Sequence, residues 1–568
     1  MEQHDALKPD INELAIHIGL SDRVELLQRA ALLARYQQDH DQECFLALDP
    51  AASKVLDHET AYPWHQPRLL YFTIFICSLG AIEQGWAQTG MNGANLYLAE
   101  ALDLTPERRE NAAFLLGLIN CAMYLSNGLV GCWLSEPVNN AMGRRGAIFI
   151  GTLLCLIGNL GCALVPSAYA SIPILVAFRL TLGVGMGLNA STVSVFAAES
   201  APAYIRGGLA VSWQMFVAFG VLLGFLANVA VYNLDDDLIW RLQLAAPALP
   251  TIPLLMLVYF CPESPSWYMK RSQWPKAFSS LRRLRSSELQ AAVELYSFVR
   301  SNATTNPPTK RSSYGKKLMS LYTEPRNFRA LLASFTVMLS QQLCGINVVA
   351  FFSSTIFSRA SGSMLLALWA SVIFGLVNFL GAFPAIWTMD SFGRRRLLLW
   401  TLPPMSVTMA GIAVVIGLPE STARFIVLAS LIYLFCALYS PGMGPVPCAY
   451  SAEVFPLDVR EIGMSLGIST ANIWATVLSL TTPPLFSAIG DPGVFGLYAG
   501  LNVLAWFLCW LFVRETKGLR LEQMEVTFES SCSDFVRGNW QEGLRRWHLG
   551  SKAREGYGEL QQYDSNEA

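Results

Sequence analysis

The sequence predicts an all-α integral membrane protein: twelve transmembrane helices arranged as two parallel six-helix repeats. Three observations predict it. Hydrophobic residues make up 53% of the 568 and charged residues only 14%, against about 25% charged in soluble domains, and the mean hydropathy is +0.37. Uncharged stretches of membrane-spanning length recur along the whole body of the chain. A set of charged motifs returns about 250 residues after its first occurrence. The same composition excludes a disordered chain and a collagen-like chain. A net charge of −2 provides no basic field for nucleic acid.

The elements follow in order. Residues 1–67 are polar and mixed in charge, an N-terminal tail without a cleavable signal-peptide pattern. Residues 68–262 hold the first six helices. Their runs free of Asp, Glu, Lys and Arg are 69–82 (continuing past Glu83), 111–135, 146–178, 180–198, 207–234 and 242–262. Pro166 and Pro173 break 146–178, which holds the third helix and the start of the fourth. Polar residues 263–329 form a central loop. The runs 330–358, 360–389, 397–419, 425–452, 462–490 and 492–513 are the second six helices, within 330–513, and 514–568 is a polar C-terminal tail. About 20 apolar residues cross about 30 Å of hydrocarbon. Length carries this assignment, because membrane helices are apolar all round. The alternation of a closed barrel is missing.

Charge sets the orientation. Between Lys270 and Phe328 stand twelve Lys/Arg against three Glu, which places the central loop in the cytoplasm. An even helix number puts both termini there too, in a multi-pass protein expected in the plasma membrane. Loops expected on the other side carry Glu100, Asp103, Glu107 and Glu110, and Asp235, Asp236 and Asp237. The twelve cysteines show no zinc spacing, and the six histidines all lie outside the apolar runs. Neither a metal nor a cofactor is expected. No nucleophile–base set or cofactor loop points to an enzyme.

The repeat is visible in the charges. Gly143-Arg144-Arg145 follows the second helix and Gly393-Arg394-Arg395 the eighth. Glu199 and Arg206 are seven apart after the fourth helix; Glu453 and Arg460 are seven apart after the tenth. Pro262-Glu263-Ser264 closes the sixth helix and Arg514-Glu515-Thr516 the twelfth. A unit duplicated in one orientation is the mark of a rocking transporter, with its solute site between the halves near the midplane. We read Glu136, Arg144, Arg145, Glu199, Arg206, Asp390, Arg394, Arg395, Glu453 and Arg460 as a cytoplasmic latch. The plainer reading is that these charges anchor helix ends at the headgroups.

These motifs are specific enough to name a family. With Arg179 before Gly183, Gly185 and Gly187, Pro262-Glu263-Ser264-Pro265-Ser266-Trp267, Gln341-Gln342-Leu343-Cys344-Gly345-Ile346-Asn347, Gly444-Pro445-Val446-Pro447 and Glu515-Thr516-Lys517-Gly518, the chain resembles the sugar porters of the major facilitator superfamily over about 69–528. Gly85-Trp86-Ala87-Gln88-Thr89-Gly90 looks most like filamentous-fungal members. The resemblance implies secondary transport of a sugar or polyol, with the solute, and a proton as candidate co-substrate, as partners. It implies solute contacts from Gln214, Gln341, Gln342, Asn347 and Asn378. Amides suit a polyol because they donate and accept without a buried charge. The plainer role of a membrane amide is to bind helix to helix.

The departures from the family pattern matter as much. Met443 and Cys448 stand where tryptophans are usual, and Phe351-Phe352 where tyrosines are. This implies a greasier cavity, and leaves a less polar metabolite as an alternative cargo. A non-transporting nutrient sensor is a third reading, disfavoured by the short 514–568 tail. Proton-coupled members carry an aspartate where Ala87 stands. Arg179 remains, and an intramembrane arginine calls for an anionic partner. Glu83, one turn before Ala87 on the same face, is the substitute proton carrier to consider, beside facilitated diffusion without coupling.

Overall fold

A computed structural model of the chain describes residues 11–39, 61–62, 64–104, 111–202, 205–305, 314–456, 459–517, 527–538 and 540–541. Among the described residues, ten helical runs are long and apolar enough to cross a bilayer. Two of them, Ala112–Ala163 and Arg460–Phe512, are each a pair of helices divided at a glycine with positive φ, 81° at Gly143 and 68° at Gly490. Each counts as two crossings, which makes twelve.

We number the crossings α1 (Arg68–Ala101), α2 (112–142), α3 (144–163), α4 (Ile172–Ser200), α5 (Arg206–Ala230) and α6 (Asp236–Ala245 with Ala248–Leu257). The second set is α7 (Pro325–Leu343 with Ile346–Ser361), α8 (Met364–Ala382, continued by Ala385–Phe392), α9 (Arg394–Ile416), α10 (Thr422–Tyr439 with Val446–Val454), α11 (460–489) and α12 (491–512). Small residues let these helices approach closely, because lipid offers no hydrophobic drive between helices. A Cβ on Gly183 of α4 would lie 2.0 Å from the Met123 carbonyl of α2.

The two sets of six meet along three lines. α2 packs on α11, α5 on α8, and α1 on α7. The first two contacts correspond to each other under the repeat, since α2 matches α8 and α5 matches α11. The internal duplication of the sequence therefore reappears as the symmetry of the interface.

The central segment is helical rather than a loop. Pro265–Lys270, Trp274–Leu284, Glu288–Thr305 and Tyr314–Thr323 form a layer at one face of the bundle, here called the central-loop face. Val24–Asp39 joins that layer. Leu27, Ala30, Ala31 and Ala34 recur at helical spacing and are buried with Ala277, Leu281, Ala291 and Leu295. Arg23 pairs with Glu288 at 2.6 Å.

Candidate functional site

Several membrane helices are interrupted. An interrupted helix leaves backbone groups without partners, and in a bilayer these must be satisfied by protein. α7 breaks at Gly345, φ 88°. There the Asn502 side chain of α12 donates to the Cys344 carbonyl at 2.9 Å. α10 breaks between Tyr439 and Val446. Gln341 of α7 donates to the freed carbonyls of Met443 and Gly444, each at 3.0 Å. Gln342 accepts from Asn347 across the α7 break. Asn378 of α8 accepts from Ser440 of α10 at 2.9 Å. Gln214 lies half-buried on α5. Of the five amides expected to meet solute, four therefore make helix-to-helix or helix-break hydrogen bonds here, and none lines the cavity.

That cavity lies between the halves. Its polar wall is Gln88, Asn92 and Asn95 of α1, Asn120 and Tyr124 of α2, Arg179 of α4 and Ser479 of α11. Met91, Met123 and Phe351 complete it. Its volume is about 10 Å³, room for about one water. A sugar does not fit this cavity as it stands. Gln88, Asn92 and Asn95 share one face of α1 at i, i+4 and i+7, a spacing that would have marked them in the sequence. Asn95 and Asn120 exchange amide hydrogen bonds at 3.2 Å. Tyr124 stacks on Phe351 across the two halves, with ring centres 5.2 Å apart.

Both ends are shut by contacts between the halves. Towards the central-loop face, α2 carries a π-helical turn, Asn127–Gly131. Such turns free a carbonyl, and that of Gly128 accepts from Ser469 of α11 at 2.6 Å. Ser135 and Ser465 hydroxyls meet at 3.1 Å. At the opposite end Asn92 clasps α7. It donates to the Ala350 carbonyl at 2.6 Å and to Ser353 at 2.9 Å, and accepts from the Ser354 amide at 3.3 Å.

The repeated charges build two matching clusters. Arg144 is wholly buried and grips Glu199 through two nitrogens, each at 2.9 Å. Glu263 accepts from the Arg144 backbone at 2.9 Å and from the Arg145 side chain at 3.3 Å. Gly143 is required here, since a Cβ would stand 2.4 Å from the Glu263 carboxylate. In the second half Arg394 meets Glu453 at 2.8 Å, and Glu515 accepts from the Arg394 backbone at 2.8 Å. Arg395 donates to the Trp510 carbonyl and Arg460 to the Phe455 carbonyl. The side chains of Arg206 and Asp390 lie outside what the structure describes. Glu136 of the latch set pairs with Lys317 of the central segment at 3.1 Å.

One further residue joins the halves, and sequence spacing did not mark it. Glu461 of α11 accepts from Arg144 at 2.7 Å and from Lys270 at 2.5 Å. Its counterpart in the first half is Gly207, so the cross-half bridge has no repeat and left no periodic trace.

Glu83 and Arg179 are both buried, at 1% exposure each, yet they form no ion pair among the described residues. Glu83 accepts from Asn159 at 3.3 Å, and its second oxygen has no partner. Arg179 donates to the Ile119 carbonyl at 3.3 Å, and one of its terminal nitrogens has no partner.

Residues 73–528 match the model of the family described as sugar (and other) transporter. A myo-inositol transporter of Gibberella moniliformis is 28% identical over 501 residues, covering 86% of this chain and 83% of that one. A galactose-proton symporter of Escherichia coli is 28% identical, covering 80% and 94%. The solved structure of the major facilitator proton:xylose symporter XylE, bound to 6-bromo-6-deoxy-D-glucose, superposes with a TM-score of 0.68 at 25% identity, covering 81% of this chain and 99% of that one. A duplicated twelve-helix bundle closed at both ends around a buried polar cavity, matched across most of its length, belongs to the sugar (and other) transporter family of the major facilitator fold.

Proposed function

We propose that the chain is a secondary transporter that moves a sugar, polyol or similar small polar solute by alternating access between its halves. The carrying observation is the pair of closures. Each is built from groups of opposite halves, so a rocking motion can break one while keeping the other. The central-loop face, with its excess of Lys and Arg, is the cytoplasmic face in this reading. Glu83 is the group through which a proton could be coupled. Met91, Met123 and Phe351 in the wall favour, as a second reading, a less polar metabolite.

The test is solute uptake by the full chain in a transporter-null host. Saturable uptake of polyols, sugars or sugar acids supports the proposal. Transport confined to less polar metabolites supports the second reading, and no transport of either overturns both.

Gln342→Ala removes one amide and leaves Asn347 unpaired. If Gln342 turns to the solute once the pathway opens, affinity for the transported solute should fall by about 1–3 kcal/mol, with normal membrane insertion. Uptake kinetics check this, and an unchanged affinity would leave the Gln342–Asn347 pair as a brace of the α7 break.

A further inference from the structure

We infer that the cavity receives the carboxylate of a polyhydroxylated acid, a sugar acid rather than a neutral sugar, with Arg179 as the counter-charge. The inference rests on the transporter reading above and specifies its cargo.

The first observation is an unbalanced cation. Arg179 is 1% exposed and lines the cavity. Among the described residues no carboxylate lies within ion-pair distance of it, and the cavity wall contains neither Asp nor Glu. Ala87, on the neighbouring stretch of α1, supplies no charge. A buried guanidinium is costly unless it is paired, and a single contact to the Ile119 carbonyl at 3.3 Å does not pair it.

The second observation concerns hydrogen-bonding atoms. Three residues of the wall carry a buried polar atom with no protein partner: a terminal nitrogen of Arg179, the Tyr124 hydroxyl and the Ser479 hydroxyl. All three can donate. They come from α4, α2 and α11, so both halves contribute. A neutral sugar presents a donor proton on every hydroxyl beside its acceptor lone pairs. A carboxylate presents only acceptors and matches guanidinium in both charge and shape. The amides of Gln88, Asn95 and Asn120 on the same wall suit the hydroxyls of the rest of the molecule.

Closure then acquires a reason to depend on cargo. Tyr124 touches Phe351 of α7 and Ser479 sits on α11, so an anion held by Arg179 bridges the halves. A neutral solute of the same size leaves the arginine unpaired and supports the occluded form less well.

The experiment uses the purified full chain in lipid nanodiscs, with D-gluconate and D-glucitol as probes of equal carbon number. Wild type should bind gluconate at least about tenfold more tightly than glucitol, a difference of about 1.4 kcal/mol. Arg179→Gln should remove that preference, so that the two probes bind within about twofold of each other. Ala87→Asp, which introduces a carboxylate on α1 without deleting any partner, should do the same and serves if Arg179→Gln does not fold. Equal binding of the two probes by wild type overturns the inference, as does a preference that survives both substitutions; water alone then satisfies Arg179. In those cases glucitol transport would keep the transporter reading intact. Failure to bind or transport either probe, or any sugar, would instead count against that reading itself.

Discussion

Glu461→Ala should shift the protein towards the form open at the central-loop face. The substitution removes the one charged contact that, among the described residues, Arg144 makes with the other half, and with it the Glu461 contact of Lys270. Arg144 keeps its two hydrogen bonds to Glu199, so the first half stays folded around it. Hydrogen bonds to charged groups contribute about 1.5–3 kcal/mol, which is roughly a 10- to 150-fold change in the ratio of the two forms. Ser465→Cys is the reporter, because Ser465 is 4% exposed and faces Ser135 across the closure. Alkylation by a membrane-impermeant thiol reagent from that face should accelerate in Glu461→Ala by a factor of this order. An unchanged rate would mean that Ser469, Gly128 and their neighbours hold the closure without Glu461.

The second large effect is expected at Glu83. If it carries the coupled proton, wild type concentrates solute and a protonophore collapses the gradient. One pH unit across the membrane is worth about 1.4 kcal/mol, or about tenfold accumulation per proton. Glu83→Gln keeps the shape of the protonated acid and the hydrogen bond with Asn159, but cannot release a proton. It should abolish accumulation and retain exchange. Uptake that only ever equilibrates in wild type, or a Glu83→Gln protein that still concentrates solute, would remove Glu83 from coupling. The missing aspartate at Ala87 makes the first of these outcomes the one to test earliest.

The membrane made much of this fold legible. A helix in lipid must be long and uncharged, so the charge-free runs located the crossings, and Pro166 and Pro173 separated α3 from α4. Duplication made the positions of the charge clusters legible as well: Glu199 and Glu453, each seven residues before an arginine, pair with Arg144 and Arg394, each within its own half. What has no repeat stayed hidden. Glu461 answers to a glycine in the other half. Glu136 finds its partner, Lys317, on a helix of the central segment, and no spacing within the repeat points to it. The amides are the other gap. Gln341 reads as a solute ligand until the α10 break is visible, and only then does its bond to two freed carbonyls explain it. Asn95 and Asn120, which do line the cavity, sit on separate helices, and nothing in the linear order pairs them. The packed layer formed by Val24–Asp39 on the central helices was hidden for a related reason. Its stripe is mostly alanine, too weakly apolar to stand out beside membrane segments.

Counterflow in proteoliposomes tests alternating access most directly. Vesicles holding the purified chain are loaded with unlabelled solute, either the polyol or the sugar acid identified by uptake, and diluted into a trace of labelled solute. A carrier whose single site faces each side in turn exchanges label inward faster than the pool drains. The account predicts a transient overshoot of internal label, abolished by locking the Ser135–Ser465 closure with a cysteine pair and restored on reduction. Label that rises only to equilibrium, or an overshoot that persists with that closure locked, would contradict it.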